Sequence, residues 1–283
     1  MVRSRCSAYG ASLLLASLIS GTAPAADGQR ATLEGYAGWA NATLETPPEG
    51  VLLLETLEQR LVELTAERRR EADADLEPLQ TDPDLLPAAR AHALDMLERG
   101  YVDHVSPEGH DAGERVALLH RRLVGGIGEN LAQHEGLTAE QLEGQIGPLA
   151  VKLMDGLMQS PDHRENILSP DYTHLAIAAA AKGERVILVQ LFEARRAWLA
   201  KPLPLRIAQG ERLPLEFEQG PGLATPAQYA YAHPDQSADE LVTLDLSSDE
   251  VTVGPGTYLL KFLLPTEQPD RFEVADGPAI IVR

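Results

Sequence analysis

The chain has 283 residues, 44% hydrophobic and 24% charged, with a formal net charge of −19. That length accommodates about two domains, and the composition is that of a soluble globular protein. The acidic balance excludes a phosphate-binding surface of clustered Lys and Arg, so no nucleic-acid partner is expected. It also disfavours adsorption to anionic lipid, and it favours solubility.

Residues 1–26 read as a secretory signal. Arg3 and Arg5 give a positive start, Ala11 to Ile19 a short apolar run, and Ala23, Pro24, Ala25 and Ala26 the small residues of a cleavage site. The apolar run is about half of what spans a bilayer. Cys6 is the only cysteine and lies inside this segment after Arg5, which does not suit a lipid-attachment cysteine. The expected mature protein is periplasmic or secreted, has no disulfide and depends on an ordinary core. No later apolar stretch reaches 18 residues, so it is not expected to be an integral membrane protein once the signal is cleaved.

Residues 27–54 read as a polar leader arm, with Trp39 available to pack on a domain. From Val51 to Arg70, Leu54, Leu57, Leu61 and Leu64 recur at spacings of three and four, which predicts a helix with one buried face. The charged run from Glu67 to Glu77 reads as its solvated end. A second helix is predicted from Asp84 to Gly100, stopped by that glycine. Residues 101–136, rich in Gly and His, read as a long functional loop. A helix from Thr138 to Gln159 follows, weakened by Gly144, Gly147 and Pro148. Ser160 and Pro161 then open a short helix to Leu168, with Ser160 as N-cap. Thr173–Ala181 and Arg185–Phe192 are predicted to form a hairpin around Lys182-Gly183-Glu184.

Beyond Trp198 the helical period disappears. Short runs remain at Leu205–Ile207, Leu213–Phe217, Ala227–Tyr231, Leu241–Leu246, Tyr258–Leu264, Arg271–Val274 and Ile280–Val282. They predict a smaller all-β, sandwich-like domain over 199–283, beginning near Lys201-Pro202-Leu203-Pro204.

Three segments, in order, carry a family resemblance. They are AARAHALDMLERGYVDHVSPEG ending at Gly109, Gly128-Glu129-Asn130-Leu131-Ala132, and Ser160-Pro161-Asp162-His163-Arg164-Glu165-Asn166-Ile167-Leu168. Together they make residues 55–198 resemble the CAP superfamily (cysteine-rich secretory, antigen 5, pathogenesis-related) in its bacterial, cysteine-free form. The resemblance implies an α/β fold, a CAP-type α/β/α sandwich, with a cleft lined by two His and two acidic residues. Carried over, His104 matches the first His, Glu129 the acid and His163 the second His. Some relatives hold a divalent metal through the two His, so His104 and His163 could hold one such as zinc. Asn130 and His174 join the expected cleft. The fourth position is occupied by Ser160 where other relatives have Glu; Glu165, Glu108 and Glu114 are alternatives.

Two imidazoles and a carboxylate suit zinc with a water in the fourth position. They also suit a metal-free hydrogen-bonded network, in which the carboxylate would raise the His pKa values. His92 reads as structural, and His110, His120 and His134 as exposed loop residues. Asn130 and Asn166 read as backbone organisers and Arg164 as an internal ion-pair or carbonyl-binding group. No catalytic residue is assigned. The expected function is a non-catalytic extracytoplasmic binding module for a small apolar or cell-envelope ligand. The alternatives are a metal-assisted hydrolase of peptide or envelope polymers and a structural envelope protein.

Overall fold

The structure is a computed structural model that describes residues 27–233, 236, 241–268 and 271–283; the expected signal at 1–26 lies outside them. The described helices are α1 (Leu33–Glu45), α2 (Glu55–Ala72), α3 (Leu86–Arg99), α4 (Ala112–Leu119), α5 (Ala139–Gln159) and α6 (Pro161–Leu168). The strands are β1 (Val51–Leu53), β2 (Gln80–Thr81), β3 (Leu123–Glu135), β4 (His174–Lys182), β5 (Arg185–Trp198), β6 (Arg206–Ile207), β7 (Gln228–Ala232), β8 (Thr243–Asp245), β9 (Gly256–Pro265) and β10 (Phe272–Val282). They divide into two compact units, one of residues 27–112 and 128–193, the other of 113–127 and 194–283. The dividing points fall after the first residue of α4, within β3 and within β5.

In the first unit the strands follow the order β1-β4-β5-β3. Leu175 through Ala181 on β4 and Val186 through Glu193 on β5 are buried without alternation, as in a sheet covered on both faces. Helices α2 and α3 both pack on β4, and α5 packs on α2. The hairpin turns at Gly183, whose φ of 61° is left-handed, with Lys182 paired to Arg185. The stripe read from the sequence holds: Leu57, Leu61 and Leu64 are at most 2% exposed. Its first residues differ, because Val51–Leu53 pair with Ala180–Lys182 as β1 before the helix starts. Gly100 ends α3 with a φ of 74°, as expected.

Several segments depart from the sequence reading. The polar arm contains α1, whose N-cap Thr32 accepts from Gly35 N and whose Tyr36, Ala37 and Ala40 are fully buried. Trp39 lies under the Arg30 guanidinium at 4.0 Å. Tyr36, Ala37, Trp39 and Ala40 fit a helical face, but the Ala residues carry little hydrophobic signal. The helix end read as solvated holds Arg69, which is 1% exposed. Its guanidinium donates to the carbonyls of Ile167, Ser169 and Glu77 at 2.8, 2.8 and 2.9 Å. Burial lowers its pKa below the usual 12.5. Arg164, expected to be internal, is exposed instead. Arg69 performs the carbonyl-binding role expected of it.

The largest difference is the region read as a loop, which contains α4 and the thirteen-residue strand β3. Gly125, Gly126 and Gly128 mask the strand in the sequence, since glycine has weak β-propensity. Two of them are required by close approach. A Cβ at Gly125 would lie 2.1 Å from Ala194 O, and one at Gly128 would lie 2.2 Å from the Tyr172 hydroxyl.

In the second unit the order runs β3-β10-β9-β7-β8, with β6 paired to β10. No helix follows β5 among the described residues, although the unit also takes in residues 113–119 of α4. Arg271–Val274 and Ile280–Val282 belong to one strand interrupted by a register shift between Asp276 and Ala279, where Gly277 and Pro278 sit. Leu213–Phe217 forms no strand; bridges Leu199–Phe217 and Arg212–Glu250 flank it. The core gathers Val124, Leu203, Tyr229, Leu260, Phe262 and Ile280. Arg121 binds the carbonyls of Leu203, Ala117 and Ala279 at 3.0, 2.8 and 2.6 Å. Burial brings its pKa down to about 10.

Gly128→Ala is expected to cost about 1–3 kcal/mol through overpacking. Tyr172 is stacked on Phe192 at 5.2 Å and cannot easily give way. Gly156→Ala on α5 is the control, since nothing lies within 4 Å of its added Cβ and helix propensity improves. Thermal unfolding of both variants checks this: a lower midpoint is expected for the first and none for the second.

Candidate functional site

His104 lies in the segment after α3. That segment is fixed from both sides, because His92 Nε2 is 2.9 Å from Asp103 O and Asp103 Oδ1 accepts from Val105 N at 3.0 Å. His92, fully buried, is therefore structural, as expected. The loop presents His104 so that its Nδ1 lies 2.9 Å from Glu129 Oε1. The Glu129 side chain is 3% exposed and that of His104 35%, so a buried acid meets a partly open imidazole.

Glu129 is held in place by its successor. Asn130, fully buried, donates through Nδ2 to His163 O at 3.0 Å and to Gln190 Oε1 at 3.1 Å. Asn166 Nδ2 donates to Asn130 Oδ1 at 2.9 Å and to Glu129 O at 3.3 Å, and the Tyr172 hydroxyl donates to Asn166 Oδ1 at 3.3 Å. Beyond Gln190 the chain continues: its Nε2 donates to Thr65 Oγ1 at 2.9 Å, and Thr65 donates to Leu61 O at 2.8 Å. The expected organiser roles of Asn130 and Asn166 are seen directly. Gln190 and Thr65 were not singled out from the sequence. The available signal was a polar residue inside a buried run, since Gln190 interrupts an apolar strand and Thr65 lies on the apolar side of α2.

His163 stands in the first turn of α6, half-buried, with its backbone tied to Asn130. Burial, and secondarily the nearby His104, lower its pKa from the ordinary 6.5. This corrects the expectation that the carboxylate would hold His163 partly charged near neutral pH. Ser160 is the N-cap residue of α6, as expected, but its side chain makes no capping bond. The backbone anchors from Asn130 and Arg69 steady α6 instead.

His174 begins β4, in register with Gln80 and Glu193, and its Nδ1 lies 2.9 Å from Thr173 Oγ1. Strand β5 stands between β4 and β3, which separates the backbones of His174 and Glu129 by at least two strand spacings, about 10 Å. His104, Glu129, Asn130 and the His163 backbone form one bonded cluster, and His174 flanks it across the sheet.

Other expectations need correction. His110 is 6% exposed, with Nε2 2.9 Å from Arg30 O. His120 is 1% exposed, and its Nδ1 accepts from Leu123 N at 3.0 Å. Both are structural rather than exposed loop residues. Among the alternatives for the fourth position, Glu108 is committed to Arg99 at 2.5 Å, Glu165 is exposed on α6, and Glu114 belongs to the second unit.

Among the described residues, His104, Glu129 and His163 do not bring three ligand atoms within 4.8 Å of one another. Glu129 holds His104 by Nδ1, the carboxylate–histidine arrangement that orients a ligating ring through its other nitrogen. The lowered pKa of His163 keeps its lone pair available at neutral pH.

The middle of the chain is similar in sequence to known proteins. Residues 62–192 match the model of CAP, the Cysteine-rich secretory protein family. The uncharacterized protein YkwD of Bacillus subtilis (strain 168) is 34% identical over 130 residues, which is 44% of this chain and 43% of YkwD. The similarity thus spans less than half of that relative. Among solved structures, an outer surface protein from Borrelia burgdorferi aligns at 19% identity over 51% of this chain and 98% of its own, with a TM-score of 0.42. An extracellular protein containing a SCP domain from Bacillus anthracis str. Ames aligns at 23% identity over 50% and 41%, with a TM-score of 0.40. The middle segment of this chain, residues 62–192, is thus similar to the CAP family, and the bonded site residues fall inside that segment.

Asn130→Ala should destabilise the protein by about 1–3 kcal/mol for each buried partner left unsatisfied. Denaturant unfolding measures it. His163 gives a pH dependence of definite sign. Its folded-state pKa lies below the ordinary 6.5, so the unfolded chain takes up the proton first as pH falls. Stability should be level above about pH 6.5 on this group's account and decline below it, towards the folded-state value. His163→Gln should flatten that part of the stability profile.

Proposed function

We propose that this protein acts outside the cytoplasm as a non-catalytic binding module. Its cleft, lined by His104, Glu129, Asn130 and His163 and flanked by His174, takes a small apolar or envelope-derived ligand bearing one polar group. The observation that carries this reading is the His104–Glu129 pair: a nearly buried carboxylate, fixed by a side-chain network, bonded to a partly exposed ring at 2.9 Å. A polar anchor held this way loses little entropy when a ligand docks. Location outside the cytoplasm rests on the signal-like residues 1–26; among the described residues, no helix is long and apolar enough to cross a membrane.

A second reading is a metal-assisted hydrolase of peptide or envelope polymers. The neutral state favoured at His163, together with the carboxylate-oriented His104, supports it. His104 and His163 would hold the metal, which would supply an activated water, and Glu129 would orient His104.

Binding of a fluorescent fatty acid separates the two. For a binding module, Glu129→Gln is expected to weaken affinity about tenfold, the loss of one charge-assisted hydrogen bond. No polymer hydrolysis should accompany it. Affinity unchanged in both Glu129→Gln and His104→Ala would reject the cleft as the binding site. Stoichiometric zinc in the purified protein, lost together with hydrolysis in His163→Ala, would establish the second reading instead.

A further inference from the structure

Every polar group of Asp27 is engaged. Its backbone nitrogen donates to Glu108 Oε1 at 2.7 Å, and its carbonyl accepts from Arg30 N at 2.9 Å. Its Oδ1 accepts from Gln29 N at 2.9 Å, and its Oδ2 lies 3.2 Å from Arg30 Nε. The chain is therefore pinned at this one residue, immediately after the small residues Ala25 and Ala26.

The receiving group is a buried acid. The Glu108 side chain is 1% exposed. Burial pushes its pKa up, but the Arg99 guanidinium and the Asp27 N–H outweigh that and hold it at about 2. Glu108 belongs to an ion network with Arg99, Asp95, Arg30, Glu98 and Asp27. In it the carboxylates of Asp27, Asp95, Glu98 and Glu108 share the guanidiniums of Arg30 and Arg99. Negative charge exceeds positive in a network whose Asp95 is fully buried, where uncompensated charge is costly. A further cation beside Glu108 would reduce the imbalance.

We propose that Asp27 is the mature N-terminus and that Glu108 is the built-in receptor for its α-ammonium group. This rests on residues 1–26 being an export leader, removed by a peptidase that cuts after small residues. Hydrolysis of the Ala26–Asp27 bond adds one water. The carboxylate leaves with Ala26, and the Asp27 nitrogen gains protons to become an ammonium with three donors. The bond to Glu108 then becomes a charge-assisted pair, stronger than the amide bond it replaces. The effect reaches α1. The turn from Asp27 leads to Arg30, which covers Trp39 at 4.0 Å and whose carbonyl is bonded to His110. Leader removal would thus tighten the N-terminal edge of the unit, coupling maturation to stability.

The test uses the full-length chain with a specific protease site placed directly before Asp27. Its unfolding midpoint is measured before and after cleavage, below and above the ordinary α-amino pKa of about 7.7–8.0. Cleavage is expected to raise the midpoint at the lower pH, with the gain shrinking well above that range. In the cleaved protein, acylation of the α-amine at neutral pH should be about tenfold slower when folded than in denaturant, corresponding to a pKa raised by about one unit. Both effects should disappear in Glu108→Gln. If that variant fails to fold, cleaved wild-type protein acetylated at Asp27 replaces it and should show no gain. An unchanged midpoint together with acylation as fast as in denaturant overturns the anchor whatever happens during export. N-terminal sequencing of exported protein tests the leader separately. A start at any residue other than Asp27 overturns the proposal for the natural chain, and an intact Met1 overturns export itself.

Discussion

A single-file run of buried side-chain hydrogen bonds holds the site together. From Tyr172 through Asn166, Asn130, Gln190 and Thr65 to the carbonyl of Leu61, each group donates in the same direction. Aligned bonds of this kind polarise one another in a low-dielectric interior. The same interior makes each group expensive to leave unpaired, so the chain rigidifies only if all members are present. It spans α2, β5, β3 and α6, and its branches reach the carbonyls of His163 and Glu129. The position of the Glu129 carboxylate is thus set by amides behind it, and His104 approaches from the open side.

Buried cations perform a parallel task where disulfides are absent. The described residues contain no cysteine. Arg69 gathers carbonyls at the end of α6, and Arg121 does the same within the second unit. A guanidinium with several fixed donors can join carbonyls that no helix or sheet satisfies. Both arginines join segments distant in sequence, Arg69 from within the core and Arg121 from a half-buried position.

How much was legible in the residues depended on how local the information was. The Leu57–Leu61–Leu64 stripe, the Gly100 stop and the Gly183 hairpin each follow from a few neighbours along the chain. The pairing of His104 with Glu129 was legible only through the ordered family segments, because a separation of 25 positions carries no spacing rule that brings them together. Strand β3 was hidden because its glycines answer to neighbours distant in sequence: Gly125 to the carbonyl of Ala194, Gly128 to Tyr172. Arg69 and Arg164 exchanged their expected roles for the same reason. Both have the same side chain, and only the packed helix ends decide which one is enclosed.

By itself, then, the sequence determined the acidic character, four of the six described helices and the β4–β5 hairpin, since these depend on composition and short-range periodicity. Tertiary structure decided which imidazole touches the carboxylate, that His163 is kept below its ordinary pKa, that His174 stands two strands away, and that Asp27 lies against Glu108. Those outcomes depend on burial and on distances between residues far apart in the chain. Neither is a property of any local stretch of sequence.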